Sequence, residues 1–329
     1  MSTATDRPRV LVTRRIPSSV VSLLDEHCTV DLYKGPQAIP RAELIERVQG
    51  KQALMCLLTD RIDGAVLEAG SDLRIVANIA VGFDNIDLAA ARARGVVVTN
   101  TPDVLSEATA ELTWGIILAV TRRITEGDRL LRKGGWKGWA LDFMLGTELR
   151  GKQLGIVGMG RIGKAVAARA PAFGLRVAYA AEDPVDLTCK GAVPLPPMTR
   201  MSLDHLLQTS DVVSLHVPLT ESTRHLINQT TLARMRRSAF LINTSRGPVV
   251  DEAALVWALR ERVITGAGLD VFEREPEVHA GLLELENVVL VPHLGSATTE
   301  TRTAMADLAA RNVLAVVSGQ PPLTPVQGQ

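Results

Sequence analysis

Three cysteines in 329 residues, Cys28, Cys56 and Cys189, are too few and too scattered for a disulfide framework, and no CxxC pair is present to hold a structural zinc. Each is expected to be a small buried apolar side chain in a reducing cytoplasm. Aromatic residues make up only 3% of the chain, so stacking platforms for single-stranded nucleic acid are not expected. Neither sign of charge is in excess. The 36 Lys and Arg balance 36 Asp and Glu, which argues against a general binder of nucleic acid or of an anionic membrane. No apolar run reaches the roughly 18 residues of a transmembrane helix. Residues 1–9 lack the apolar core of a signal peptide. Low-complexity tracts and short internal repeats are absent as well.

Hydrophobic residues make up 46% of the chain, enough to bury a core, and the length suggests two domains at about 150 residues each. Short apolar runs at 10–13, 53–57, 74–78 and 96–99 alternate with amphipathic stretches at 18–27, 41–48 and 86–94. That rhythm predicts an α/β fold with parallel sheets covered by helices. Thr101-Pro102-Asp103 reads as a helix start, followed by a long apolar helix over 104–122 and a Gly-rich loop from Lys133 to Trp139. A second βαβ series has strands expected at 153–157, 176–179, 212–216, 240–243, 266–270 and 288–291. A last helix over 298–318 has no strand after it. Packing it back on the first domain gives a discontinuous domain, 1–102 plus 296–329, around a second domain, 103–295.

Gly158-Met159-Gly160-Arg161-Ile162-Gly163 follows the 153–157 strand and opens a helix ending at Gly174. In that setting it is a dinucleotide fingerprint. Gly158 permits the tight turn, Gly160 lets the backbone approach a pyrophosphate, and Gly163 lets the helix pack on the strand. The helix N-terminus offers N–H groups and a positive dipole end to phosphate. The adenosine ribose is expected at the end of the next strand, where Glu182 can take both hydroxyls and repel a 2′-phosphate. Asp183 reads as a solvated loop acid. No Arg or Lys occurs over 177–188.

Three further groups fall where strands end: Arg246 after 240–243, Glu275 after 266–270, and His293 after 288–291. Ligands of open α/β sheets bind at that edge. An Arg fork binds a carboxylate, a His moves a proton near neutral pH, and a carboxylate beside it fixes its tautomer and favours its charged form. His27, His205, His216, His225 and His279 are read as structural.

The segments 155–163, His216-Val217-Pro218-Leu219-Thr220, 241–252 and 291–297 resemble the D-isomer-specific 2-hydroxyacid dehydrogenase family along nearly the whole chain. The resemblance implies two Rossmann-like domains with the site in the cleft between them, the 103–295 domain binding NAD and the discontinuous one binding substrate, in a homodimer. His293 is then the acid/base, Glu275 its partner, and Arg246 a substrate-binding residue, with the N–H groups of Val81 and Gly82 also on the substrate carboxylate. Thr109, Gly158, Gly160, Arg161, Ile162, Gly163, Glu182, Val217, Pro218, Thr223, Thr244, Ser245, Asp270 and Gly295 are implied in cofactor binding, and no metal is.

Within the family, the segments 56–63 and 145–151 look most like glyoxylate and hydroxypyruvate reductases. Leu57 and Trp139 are expected to wall a small pocket, Trp139 from the partner subunit. Phosphite dehydrogenases carry Lys at the position of Val81, and formate dehydrogenases lack the equivalent of Glu275. Phosphoglycerate dehydrogenases usually add a regulatory domain, for which the residues before Gln329 leave no room. NAD-dependent relatives commonly place Asp where this chain has Ala181, and NADP-dependent reductases Arg where it has Glu182. NAD is the expected cofactor, with NADP the alternative. Corepressors that sense NAD(H) share this scaffold, but they carry a long C-terminal tail.

Overall fold

Strands buried on both faces need continuous apolar runs, and the runs found in the sequence become strands in the computed structural model, which describes residues 7–182, 184–187 and 194–326. Asp183 and Cys189 lie outside the described residues. The chain forms two compact units, residues 1–105 with 298–329, and residues 106–297.

The first unit runs β1 (Arg9–Val12), α1 (Ser18–Asp25), β2 (Thr29–Leu32), α2 (Arg41–Arg47), β3 (Ala53–Cys56), α3 (Gly64–Ala69), β4 (Ile75–Asn78), α4 (Leu88–Ala93) and β5 (Val97–Thr99). Its parallel sheet has the order β2-β1-β3-β4-β5. The side chains of Asp63 and Asp87 accept the first-turn N–H groups of α3 and α4 and so set where those helices begin.

The second unit runs α5 (Ser106–Thr121), α6 (Ile124–Arg132), β6 (Gln153–Val157), α7 (Arg161–Arg169), β7 (Arg176–Ala180), β8 (Met198–Arg200), α8 (Leu203–Thr209), β9 (Val212–Leu215), α9 (Gln229–Arg234), β10 (Phe240–Asn243), α10 (Glu252–Arg260), β11 (Gly266–Leu269), α11 (Ala280–Leu283) and β12 (Val288–Leu290). Its seven parallel strands lie in the order β12-β11-β10-β9-β6-β7-β8. The direction of winding reverses between β6 and β9, which makes a crevice at their carboxyl ends. On one face α5 and α7 meet. Trp114 stacks on Phe173 at 4.4 Å between ring centroids, and its indole N–H donates to Val166 O at 3.1 Å.

The chain then returns to the first unit through α12 (Thr299–Val317), capped by the Thr298 hydroxyl and packed on β3, β4 and α1. No helix among the described residues is long and apolar enough to cross a membrane. Strands β2 and β8 and helices α3 and α6 were not among the elements read from the sequence. β2 and β8 are short edge strands, half exposed and partly polar, without the apolar signal of the central ones. Arg123, in the left-handed region at φ 55°, ends one helical run and starts α6.

Asn312 is fully buried in α12. Its Oδ1 accepts the N–H groups of Leu323 and Thr324 at 2.9 and 3.0 Å, and its Nδ2 donates to Thr324 Oγ1 at 2.9 Å. Asn312→Ala leaves those N–H groups without their acceptor, at about 1–3 kcal/mol for a buried polar group. A lower urea midpoint for the first unit is expected, and an unchanged midpoint would show that the amide holds nothing.

Candidate active site

The glycine loop follows β6 directly. Gly158 has φ 93°, and a Cβ there would stand 2.6 Å from His216 O, so only glycine fits the turn. A Cβ on Gly163 would run into Gly158 O, which fixes the close approach of α7. Gly160 differs. A Cβ added to it would meet nothing within 4 Å. The protein gives no reason for glycine at that position; a ligand backbone lying against the N-terminus of α7 does. The residues therefore fit a dinucleotide pyrophosphate, with Arg161 and Ile162 opening the helix.

Next along the crevice comes the loop after β9. His216 is half-buried, with Nε2 2.8 Å from Ser214 Oγ, and desolvation of the ring pushes its imidazole down to about 3. It is neutral at physiological pH and cannot serve as an acid. After it, the Thr223 hydroxyl donates to Pro218 O at 2.6 Å and accepts from Thr220 N at 2.8 Å, which shapes the Val217–Pro218 turn. At the end of β7, Glu182 is exposed. Beside it stands a cation from outside residues 177–188. Arg200, at the end of β8, donates from Nη2 to Ala181 O and Glu182 O at 2.9 and 3.0 Å. Strand pairing brings it there (Tyr179 opposite Arg200), and no local motif marks it.

Three strand ends of this unit bring Arg246, Glu275 and His293 together. After β10, the Asn243 amide donates to Arg246 O at 2.9 Å and its Oδ1 accepts Ser245 N at 3.0 Å. After β11, Asp270 is buried, and its carboxylate accepts Leu294 N at 2.5 Å and Gly295 N at 2.8 Å. These bonds support His293 at φ 53°, a left-handed conformation uncommon outside glycine. Burial raises the Asp270 carboxyl above the ordinary range, partly offset by those N–H groups and the charge of His293. The Thr109 hydroxyl reaches Gly295 O at 3.2 Å, and Thr113 bridges Thr109 O and the Thr244 hydroxyl, so α5 is tied to the strand ends.

Glu275 is held at both oxygens. Oε1 accepts Phe272 N at 3.0 Å, and Oε2 lies 2.8 Å from His293 Nδ1. Burial alone would raise this carboxyl, but the His293 hydrogen bond and charge, Phe272 N–H and Arg246 outweigh it and hold it below the ordinary range. With Glu275 ionised, Nδ1 must carry the proton and donate, which leaves Nε2 as the ring nitrogen not engaged by Glu275. A second pair of carboxylates steadies this loop: Glu273 N donates to Glu252 Oε1 at 2.9 Å, and Glu252 N to Glu273 Oε2 at 3.2 Å.

Three implied site residues belong to the first unit. Leu57 follows β3, and its N–H donates to Asp60 Oδ2 at 2.8 Å. Val81 and Gly82 lie in the loop after β4. Trp139 is 80% exposed and touches no strand end of its own unit's sheet among the contacts described.

A phosphate cradle at the switch of a doubly wound sheet, with a paired histidine and an arginine at the neighbouring strand ends, defines a dinucleotide-dependent oxidoreductase. Residues 114–295 match the D-isomer specific 2-hydroxyacid dehydrogenase, NAD binding domain. A glyoxylate reductase of Thermofilum pendens is 49% identical over 96% of this chain and 93% of its own length. A Thermus thermophilus protein of solved structure superposes with TM-score 0.90 at 47% identity, over 97% of this chain and 99% of that one. An NADPH-dependent glyoxylate/hydroxypyruvate reductase from Sinorhizobium meliloti, solved with NADP and malonate, gives 0.85 at 37% identity over 98% and 97% of the two chains. The chain belongs to the D-isomer-specific 2-hydroxyacid dehydrogenases, enzymes that work with a nicotinamide cofactor.

Gly160→Ala fills the cradle without touching protein. NADH affinity is expected to fall at least about tenfold, or 1.4 kcal/mol, with Tm unchanged; unchanged affinity would mean the loop holds no pyrophosphate. The Glu275 shift predicts a pH effect with a definite sign. Its folded value lies below the ordinary 4.5, so its contribution to stability is complete above that pH and is lost as pH falls through the folded value. The Tm gap between wild type and Glu275→Gln should close on acidification below pH 4.5. A gap that stays constant there would contradict the pairing.

Proposed function

We propose that this chain reduces glyoxylate and hydroxypyruvate to their 2-hydroxy acids with NADH. The observation that carries the proposal is the His293–Glu275 pair at 2.8 Å, close enough to Arg246 for its charge to act on Glu275, on the sheet edge that also bears the glycine loop. The bound nicotinamide supplies the hydride to the substrate's carbonyl carbon. Arg246 takes the substrate carboxylate with its planar fork, and the Val81 and Gly82 N–H groups of the first unit complete its hold. His293 gives a proton from Nε2 to the carbonyl oxygen, while Glu275 supports the imidazolium through Nδ1. In this reading the first unit binds substrate and the second the cofactor, through Gly158, Gly160, Gly163 and the threonine, Asp270 and Gly295 framework beside them.

Relatives named as glyoxylate reductases, one of them on hydroxypyruvate too, support a small substrate. In this reading Leu57 and Trp139 wall the pocket, and a phosphate or second carboxylate would be desolvated there without a partner. Large apolar side chains are exposed along one segment, among them Ile124, Leu131, Trp136, Trp139, Leu141 and Leu145. Patches of this kind mark interfaces, which supports a homodimer covering them and Trp139 acting on the partner's site. Cys28 and Cys56 are buried free thiols, in keeping with a reducing cytoplasm.

Glu182 favours NADH, since its charge opposes a 2′-phosphate. Arg200 favours a second reading, in which NADPH is accepted, because its guanidinium stands at the Glu182 carbonyl and can meet a phosphate there. One panel decides the substrate and the cofactor together. Glyoxylate, hydroxypyruvate, pyruvate and phosphohydroxypyruvate are each offered with NADH and with NADPH, and kcat/KM is read from nicotinamide absorbance. Glyoxylate and hydroxypyruvate with NADH should lead, and His293→Ala should lower kcat by roughly 10²–10⁴. Phosphohydroxypyruvate in the lead would overturn the substrate assignment, and equal use of NADPH would transfer the cofactor assignment to Arg200.

A further inference from the structure

The loop after β4 is anchored by its carbonyl oxygens. Ala80 O accepts Thr101 N at 2.8 Å, Val81 O accepts Asn100 Nδ2 at 2.7 Å, and Gly82 O accepts Asn78 Nδ2 at 2.9 Å. Asn78 ends β4 and is fully buried; Asn100 follows β5. Among the described residues the one cis peptide is Glu275–Pro276, so the peptides of this loop are trans and planar. In such a peptide the N–H points opposite to the C=O that precedes it. The Thr101 bond therefore aims the Val81 N–H away from the 100–101 segment, and the Asn100 bond does the same for the Gly82 N–H. Successive N–H groups held in this way form an anion site.

Asn100 is itself held. Its N–H donates to Thr324 O at 3.3 Å, and its carbonyl accepts the Thr324 hydroxyl at 2.6 Å. Thr324 is in turn fixed by Asn312. The C-terminal segment thus sets the Asn100 backbone, and the Asn100 amide sets the peptide between Val81 and Gly82.

We propose that Asn100 is a positioning residue for the substrate carboxylate, acting by aiming the Gly82 N–H through its grip on Val81 O. This rests on the reading that the Val81–Gly82 turn receives that carboxylate. Without the Nδ2 donor the peptide can rotate, and the N–H loses its aim while Arg246, His293 and the cofactor residues stay as they are. The loss falls on binding of the 2-oxo acid, and the chemical step at saturation is spared.

The test uses oxamate, the amide analogue of a 2-oxo acid, with the full-length protein and NADH. In Asn100→Ala and in the isosteric Asn100→Asp, which cannot donate, the oxamate Kd and the glyoxylate KM should rise about tenfold. The loss of one well-placed hydrogen bond has that size. NADH affinity should stay within about twofold and kcat within about threefold. Amide NMR of the wild type separates the two ideas: the Val81 and Gly82 protons should move downfield on saturation with oxamate, and the Gly82 displacement should shrink in the variants. Wild-type amides that do not move overturn the reading of the turn. Amides that move, with unchanged oxamate affinity in either variant that keeps NADH affinity, overturn the role of Asn100. If both variants lose NADH affinity, Thr324→Val reads the same tether one step back, and oxamate affinity unchanged there also overturns it.

Discussion

The buried carboxylate of Asp270 accepts the main-chain N–H groups of Leu294 and Gly295, and the turn bearing His293 rests on those two bonds. A histidine at positive φ costs about 1–3 kcal/mol and persists only where its surroundings over-determine it. Here they do, because His293 N also donates to Asp270 O at 2.9 Å and Thr109 holds Gly295 from α5. Remove Asp270 and two N–H groups lose their acceptor. The imidazole then loses the backbone that points it at Glu275. The placing of His293 thus depends on a carboxylate outside the Arg246, Glu275 and His293 set.

The same logic recurs at other strand ends of the two sheets. Parallel strands end with free carbonyl and N–H groups, and the loops that follow must be pinned by polar side chains near the ends of those strands. Asn243 pins the Arg246 loop, Asp270 the His293 turn, and Asn78 and Asn100 the Val81 turn. Each pin has its backbone in or beside a rigid strand. Sites built this way hold their geometry more tightly than sites carried by loops alone, because the loop is allowed one arrangement of its peptide planes.

How far the sequence could be read follows from what each feature leaves in a local pattern. Strands β6 and β10 were legible to the residue because a central parallel strand is a short, uninterrupted apolar run. Edge strands β2 and β8 are half exposed and blend with the loops around them. The glycine loop, Arg246, Glu275 and His293 lie within contiguous motifs, and a strand end places each. Arg200 and Asn100 carry no such signature. Arg200 reaches the Ala181 and Glu182 carbonyls from another strand, and Asn100 looks like the polar residue before the Thr101-Pro102 helix start. Both act through partners far along the chain, which only strand pairing reveals.

Two carboxylates stand near one imidazole, and their surroundings push them in opposite directions. Asp270 is almost wholly excluded from water, and burial dominates, so its carboxyl is raised. Glu275 keeps a partly exposed side chain and faces both His293 and Arg246, so its carboxyl is lowered. Such a separation sorts acids into roles. Glu275 remains an anion through the working range and can oppose a charge that appears and disappears on the ring. Asp270 is better suited to a constant task, accepting backbone N–H groups. Because Glu275 also spends one oxygen on Phe272 N, it can face the ring with only the other, and the ring must present Nδ1. Only Nε2 is then left to exchange a proton, and the orientation is the same whether the ring is charged or neutral. That constancy suits the proposed 2-oxo acid reduction, in which the forward and reverse reactions would use the two protonation states of the same nitrogen.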